Sequence, residues 1–439
     1  MALQQVVKFL KTVDELEASK NLLKTFVKYS NSLQQYDELG MLFQEVKAYP
    51  ESLEMLEKCM AVASTPEQLY AVRANLSKLY NHLNDPQQSI FYASLNLKVN
   101  PGDFEALMEQ SFSYYLLGDY KKSYEIQDEL LKRDDLPENV LKRITFNMGT
   151  FEIARGNFKE GMFKMVVGGK KIGIWPASKK PFPKWDGQKT DKTVLVYGEG
   201  GIGDEIIHIR FMKELSERGI KAHWVSNHSL NELFASNGYS TITEKKLSMF
   251  GDYLYCEAMN LPILLDKEEN DLYHGEYLSA SPEYIEKWKK ILPKKFITIR
   301  WNGNPYYDQD LHRGINLEQL IETVSPYKIP LVSLQIDQNK TDRKGIINPE
   351  IESWQDTLAI QHLSQLNVTS CTSTAHSSAA MGLNTVVMPP IATYYPWLNL
   401  REDDTSWWYG PSVKVYPQTK HKDWSEPLAK LKQHMDTIL

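Results

Sequence analysis

The chain is 439 residues long, 42% hydrophobic and 24% charged, with a formal net charge of −6 at pH 7. That length calls for two or three domains. The acid excess excludes a global basic field of the kind that drives nonspecific nucleic-acid binding and leaves room only for a local patch. No apolar run approaches the ~20 residues that a membrane-spanning helix needs. At the start of the chain Lys8, Lys11 and Asp14 are interleaved with apolar residues, the pattern of an amphipathic helix and not of a secretion signal. Cys59, Cys256 and Cys371 lie too far apart for a disulfide framework or a C-x-x-C metal site, and a reducing cytoplasm, the cell's own or an infected host's, is the expected location.

From Tyr36 to about Gly169 the sequence is periodic. Leu83-Asn84-Asp85-Pro86-Gln87-Gln88-Ser89 aligns with Leu117-Gly118-Asp119-Tyr120-Lys121-Lys122-Ser123, and both align with Arg155-Gly156-Asn157-Phe158-Lys159-Glu160-Gly161. Asn84 to Gly118 is 34 residues and Gly118 to Gly156 is 38, the range of a helix-turn-helix repeat. Gly118 and Gly156 stand where a first helix must stop, and Pro66, Pro101 and Pro137 punctuate the ends of second helices. Ser89, Ser123 and Gly161 supply a small residue where paired helices approach. Leu79, Tyr80, Tyr114, Tyr115 and Phe151 read as inner-face core. Such an array either caps a neighbouring domain or offers a concave surface to a protein partner.

A proline-containing connector, Gly173 to Lys189, ends the repeats, and the pattern changes to strand and helix in alternation. Thr193–Tyr197 is a β-branched run, followed by Gly198-Glu199-Gly200-Gly201-Ile202-Gly203-Asp204. One helix is expected from Ile206 to a cap at Gly219, and a second strand at Ala222–Val225. A helix over Pro282 to Ile291 introduces another set: strands at Phe296–Trp301 and Leu331–Gln335, then Asn367–Ser370 leading into a helix from Thr374 to Met381, then a strand at Thr385–Met388. These elements predict an all-α repeat array over 1–170, a connector over 171–190, and two Rossmann-like α/β lobes over 191–285 and 286–439. Ligands in such folds sit at the carboxyl ends of the strands.

Gly198, Gly200 and Gly203 satisfy the dinucleotide pattern G-x-G-x-x-G, so an NAD-dependent oxidoreductase is one reading. It requires an acid closing the second strand to hold the ribose hydroxyls. Here Val225 is followed by Ser226-Asn227-His228, without one. The other reading turns on Asp204. Inverting sugar transfer needs a base for the acceptor hydroxyl and fixed positive potential at the departing phosphates. An aspartate at this turn also serves as a helix N-cap.

The order of motifs resembles bacterial and phage tetratricopeptide-repeat glycosyltransferases, which are similar to heptosyltransferases and more distantly to O-GlcNAc transferase. The motifs are Trp185-Asp186-Gly187, Glu199 to Asp204, Trp301-Asn302-Gly303-Asn304-Pro305, Asp308 to Arg313, Ser333-Leu334-Gln335, Asp356-Thr357, Cys371-Thr372-Ser373-Thr374-Ala375-His376, Gly382, Tyr394-Tyr395-Pro396-Trp397 and Asp423-Trp424. The resemblance implies a GT-B pair of lobes, acceptor on the first and nucleotide-sugar donor on the second. Asp204 matches the base, with Gly200, Gly201 and Gly203 forming an acceptor-side loop. Thr372, Ser373 and Thr374 match a donor-phosphate cradle at a helix start, beside His376, which a satisfied core histidine explains equally. Arg300 and Arg313 are candidates for the phosphate charge and Gln335 for the base or sugar. Many relatives have Asp where Cys371 stands and Lys where Ile336 stands. Asp308-Gln309-Asp310 imitates a metal-binding D-x-D but falls in a loop, so the expectation is a metal-independent transferase with no cofactor beyond its nucleotide-sugar co-substrate. A catalytically inactive repeat scaffold is the alternative.

In and beside the connector, between Lys170 and Lys192, lysines stand at 170, 171, 179, 180, 184, 189 and 192 around Trp175, Phe182 and Trp185. Lys179, Lys180 and Lys184 are therefore candidate contacts to a polyanion such as DNA with a flipped, modified base. The plainer reading is a solvated linker, and the acceptor is then a protein or a glycan.

Overall fold

The computed structural model describes residues 5, 8, 16–171, 180–226, 229–248, 251–304, 310–336, 341 and 343–439. They divide into two compact units, one reaching residue 134 and taking in 310–312, the other comprising 135–304 and 313–439.

The first unit is built of antiparallel helix pairs: Leu33–Glu45 with Tyr49–Val62, Pro66–His82 with Pro86–Leu97, and Phe104–Leu116 with Tyr120–Leu131. Each pair closes on small residues, at Ser89 and Ser123 as the repeat pattern marks and at Gly40 and Ser52 where it does not. The Ser77 hydroxyl donates to the Ser89 carbonyl at 3.0 Å, the Ser111 hydroxyl to the Ser123 carbonyl at 3.0 Å, and the Ser52 hydroxyl to the Gly40 carbonyl at 2.8 Å. All are buried, so each hydroxyl needs that partner. The turns between paired helices use left-handed residues, Lys47, Asn84 and Gly118, at φ 57°, 58° and 80°. Pro66 and Pro86 sit in the first turn of their helices, where a missing N–H costs nothing, and Thr65 and Asp85 cap those starts. His312 packs into this unit, its Nε2 paired with the Asn81 carbonyl at 3.1 Å and its ring near Phe112.

In the second unit the pair Glu138–Ala154 and Phe158–Lys171 continues the repeat geometry. A Cβ at Gly149 would lie 2.6 Å from the Gly161 carbonyl oxygen, so only glycine allows this approach. Gly156 makes the intervening turn at φ 84°. This pair also shares a core with the α/β region. Ile153, Phe158, Met162 and Val166 belong to one buried cluster with Val194, Ile206 and Trp408.

Two parallel sheets follow. The first has the order β3-β2-β1-β4, from β1 (Thr193–Tyr197), β2 (Ala222–Val225), β3 (Thr241–Ile242) and β4 (Tyr253–Glu257). The second has the order β10-β9-β8-β5-β6-β7, from β5 (Ile297–Arg300), β6 (Leu331–Ser333), β7 (Ile346–Ile347), β8 (Leu366–Ser370), β9 (Thr385–Met388) and β10 (Val413–Val415). Every ladder is parallel. Parallel pairing requires long crossovers, and helices supply several of them: Ile202–His208 and Phe211–Glu217 between β1 and β2, Leu317–Val324 between β5 and β6, and Ser373–Ala380 between β8 and β9. The expected architecture is present: tetratricopeptide-like helix pairs followed by two Rossmann-like lobes. The single helix expected after the glycine turn is instead two, Ile202–His208 and Phe211–Glu217. Arg210 marks the break, because its Nε donates to the Ile207 carbonyl at 2.8 Å and Nη1 to the Leu272 carbonyl at 2.8 Å. A tertiary anchor there outweighs helix continuity.

Candidate active site

The turn after β1 is shaped by its glycines. A Cβ on Gly198 would fall within 2.3–2.8 Å of the Glu205 carboxylate, which is buried and accepts the Trp224 indole N–H at 3.0 Å. Gly200 is left-handed at φ 79°. Gly201, not Asp204, is the N-cap of the Ile202–His208 helix, and its N–H donates to Asp204 Oδ2 at 2.8 Å. Asp204 thus occupies the third helical position and closes the reciprocal half of a capping box. Its other oxygen, Oδ1, accepts the Tyr395 hydroxyl at 2.9 Å, from the second lobe. Asp204 keeps part of its surface accessible, yet loss of water around the carboxyl raises its pKa above the ordinary aspartate value. The Gly201 amide and the Tyr395 hydroxyl oppose that shift, and the neighbouring Glu205 adds to it.

Gly203 brings the two lobes together. A Cβ at this position would lie 2.9 Å from His376 Cδ2 and 3.7 Å from Ser373 Cα, so the starts of the Ile202–His208 and Ser373–Ala380 helices abut. At the second helix Thr372 and Thr374 share hydroxyl contacts at 2.8 Å, and Thr369 joins them at 3.3 and 3.1 Å. All three are buried, whereas Ser373 remains partly exposed. The expected cradle is therefore a knot of mutually bonded hydroxyls with Ser373 at its accessible edge.

Behind it lies an aromatic wall. His376 is fully buried, stacked on Trp397 at 5.0 Å, its Nδ1 paired with the Tyr409 hydroxyl at 2.7 Å and its Nε2 with the Tyr394 hydroxyl. Burial pushes its pKa down to about 3, with Arg210 and His208 adding to the effect. His208, equally buried, pairs its Nδ1 with the Asp204 backbone carbonyl at 2.7 Å, and burial lowers it to about 4. Both rings are neutral near pH 7. Arg210 supplies the buried cation: it packs on Tyr277, Trp408 and Tyr409 and donates to the Tyr277 hydroxyl at 2.8 Å and to the Trp408 carbonyl.

The remaining candidates are distributed as follows. Arg300 is buried and donates to the carbonyls of Asn302 at 3.2 Å and Leu334 at 2.8 Å, a lining role at the end of β5. Gln335 is buried beside it, accepting the Asn302 N–H at 3.4 Å. Arg313 donates to the Cys371 carbonyl at 3.4 Å across Gly303, whose missing Cβ leaves room for the guanidinium. Cys371 is buried. Lys180 pairs with Glu244 and lies 4.0 Å above the Tyr197 ring, and Lys184 pairs with Glu257 at 3.6 Å. Lys179, Trp175, Asp308 and Gln309 lie outside the described residues, as do the side chains of Lys170 and Lys171. The Trp185 motif is a tie-down: its N–H donates to the Tyr255 carbonyl at 2.7 Å, and a Cβ on Gly187 would lie 2.5 Å from the Leu264 carbonyl oxygen. Asp356 is a buried hub for Lys287, Trp288 and Ser353, far more a cap than a ligand. Among the described residues no group of three His, Cys, Asp or Glu side chains is placed to hold a metal ion, and no helix is long and apolar enough to cross a membrane.

No protein-family model and no curated protein matches the chain. Solved structures similar to it include some that align with less than two fifths of the chain and some that align with more than half. MamA aligns at 14% identity and TM-score 0.29, over 38% of this chain and 94% of its own. The glycosyl transferase family 9 protein of Veillonella parvula aligns at 10% identity and TM-score 0.37, over 57% of this chain and 97% of its own. The E. coli heptosyltransferase WaaC with ADP aligns at 11% and 0.33, over 56% of this chain and 100% of its own.

Sequence reasoning assigned no role to Tyr395, Thr369, His208 or Arg210. Tyr395 stood within a recognised motif. The other three carry no local signal, since their partners are set by the packing of one lobe on another.

Proposed function

We infer that the chain is a glycosyltransferase that moves a sugar from a nucleotide-activated donor to an acceptor hydroxyl, inverting and without a metal. The observation that carries this reading is a juxtaposition. A carboxylate with a raised pKa stands at the carboxyl edge of β1, one residue from the glycine that touches the 373–380 helix start. Asp204 then takes the acceptor O–H proton as the acceptor oxygen bonds to the anomeric carbon from the face opposite the leaving group. The bond from that carbon to the diphosphate oxygen breaks, and the nucleoside diphosphate departs with the electron pair. A raised carboxylate pKa makes a stronger base and suits this task. Ser373, the helix-start amides and Arg313 are the groups on the donor side available to the diphosphate.

The pairing of Lys180 and Lys184 with carboxylates favours a protein or glycan acceptor over a polyanion. The reading is tested by a thermal-shift screen of sugar nucleotides against NAD and NADP, followed by release of nucleoside diphosphate from the stabilising donor. Stabilisation by NAD alone would instead support an oxidoreductase. Donor binding without turnover in the presence of protein and glycan acceptors would support a binding module.

A further inference from the structure

Asp204 is held by a residue of its own lobe and by one from the opposite lobe. Its Oδ2 is fixed by the Gly201 N–H of its own turn, at 2.8 Å. Its Oδ1 is fixed by the Tyr395 hydroxyl, at 2.9 Å and 191 residues away in the chain. Tyr395 is itself immobilised. It is buried, its ring packs edge-on against Trp408 at 5.4 Å and Tyr394 at 5.6 Å, and His208 lies 6.1 Å from it on the Asp204 side. A phenol held this firmly presents its proton in one direction. Two donors on the two oxygens define the plane of a carboxylate, which a single capping bond leaves free to rotate.

We propose that Tyr395 is a positioning residue: its hydroxyl, reaching across from the second lobe, orients the Asp204 carboxylate and holds it in the ionised form that proton abstraction requires. This rests on the reading of Asp204 as the base. The first lobe alone supplies a cap, and only the docked second lobe completes the oriented base. Removing the phenol proton removes a hydrogen bond to the charged form, which favours the neutral acid. The carboxylate is faced, among the described residues, by groups from both lobes. Glu205 is the neighbouring acid on its own helix, and His208 is neutral and bonded to the Asp204 carbonyl. Tyr394 and Tyr395 approach from the second lobe, with neutral His376 and cationic Arg210 behind them. Among them Tyr395 is the residue that donates to the carboxylate.

The test reads Asp204 directly in the full chain, by titrating 13C-labelled aspartate carboxyls and assigning Asp204 with the Asp204→Asn variant. Tyr395→Phe keeps the ring and should move the Asp204 midpoint upward by about one pH unit, the size expected for one lost hydrogen bond to a charged group. Tyr394→Phe should leave it in place. Site-specific 3,5-difluorotyrosine at 395 keeps ring, hydroxyl and fold but makes a stronger donor, and should move the midpoint downward. Midpoints unchanged by both 395 substitutions overturn the proposal. Should they move as expected while Asp204→Asn still transfers sugar, the positioning role stands and it is the base reading that fails.

Discussion

Two fully buried histidines make the stability of the α/β unit depend on pH in a calculable way. His376 and His208 have folded pKa values of about 3 and about 4, both below the ordinary 6.5, because burial disfavours the charged ring. A depressed folded pKa means that the stabilisation is fully present above the unfolded value of 6.5. It is lost as pH falls through the window from there to the folded values. At about pH 4.5 each unfolded ring has bound a proton that the folded ring refuses, over a span of about two pH units. At 1.36 kcal/mol per unit this is about 2–3 kcal/mol for each ring, and about 5 for the pair. The perturbation is acidification from about pH 7 to about pH 4.5 of the wild type, His376→Gln and His208→Gln. The assay is urea unfolding followed by tryptophan fluorescence, since Trp224, Trp397 and Trp408 are buried in this unit. Each variant lacks one titrating ring, so it should lose about 2–3 kcal/mol less than the wild type on acidification, whatever its stability near neutrality. Carboxylates such as Asp356 titrate alike in all three proteins and cancel. Equal losses in wild type and variants would refute the placement of these rings as buried and neutral.

Two further outcomes follow from the interface between the lobes. Gly203→Ala forces a methyl against His376 and should destabilise the unit by about 1–3 kcal/mol, read as a lowered melting temperature; an unchanged melting temperature would mean that the two helix starts do not abut. Thr372 and Thr374 spend their hydroxyls on each other and on Thr369, which leaves Ser373 as the accessible hydroxyl of this loop. Ser373→Ala should weaken donor binding in calorimetry by about 1–3 kcal/mol, and equal affinity would remove this hydroxyl from the donor site.

How much could be read from the residues depended on how local their constraint is. Asn84, Gly118 and Gly156 announce their turns because each is left-handed; Gly161 announces a helix pair because nothing larger fits, and Ser89 and Ser123 because the paired helices meet there through buried serines. β1, β2 and β9 are short β-branched or apolar runs and were legible for that reason. β4 was not assigned, although Tyr253-Leu254-Tyr255-Cys256-Glu257 is a β-prone run; its place is set by pairing with β1 on one side and the Lys184 segment on the other. β7 and β10, two and three residues long, are strands only by their neighbours. The break at Arg210 is likewise a tertiary event, fixed by the Leu272 and Trp408 carbonyls. At the site, the glycines and Asp204 could be found because a turn after a first strand has a fixed chemistry. The directions of Arg300 and Gln335, turned toward backbone groups of their own lobe, could not. The Tyr395 bond to Asp204 joins residues 191 apart in the chain, and no periodicity encodes it.

The central claim is that Asp204 is the base of a sugar transfer. The most direct measurement is single-turnover transfer from the donor found by thermal shift, in wild type and Asp204→Asn, with donor affinity measured on the same samples. Asn keeps an acceptor oxygen for the Gly201 N–H but takes no proton. Transfer should therefore slow by about 10²-fold or more with donor affinity nearly unchanged. Full transfer rates accompanied only by a lowered melting temperature would show Asp204 to be a helix cap and nothing more.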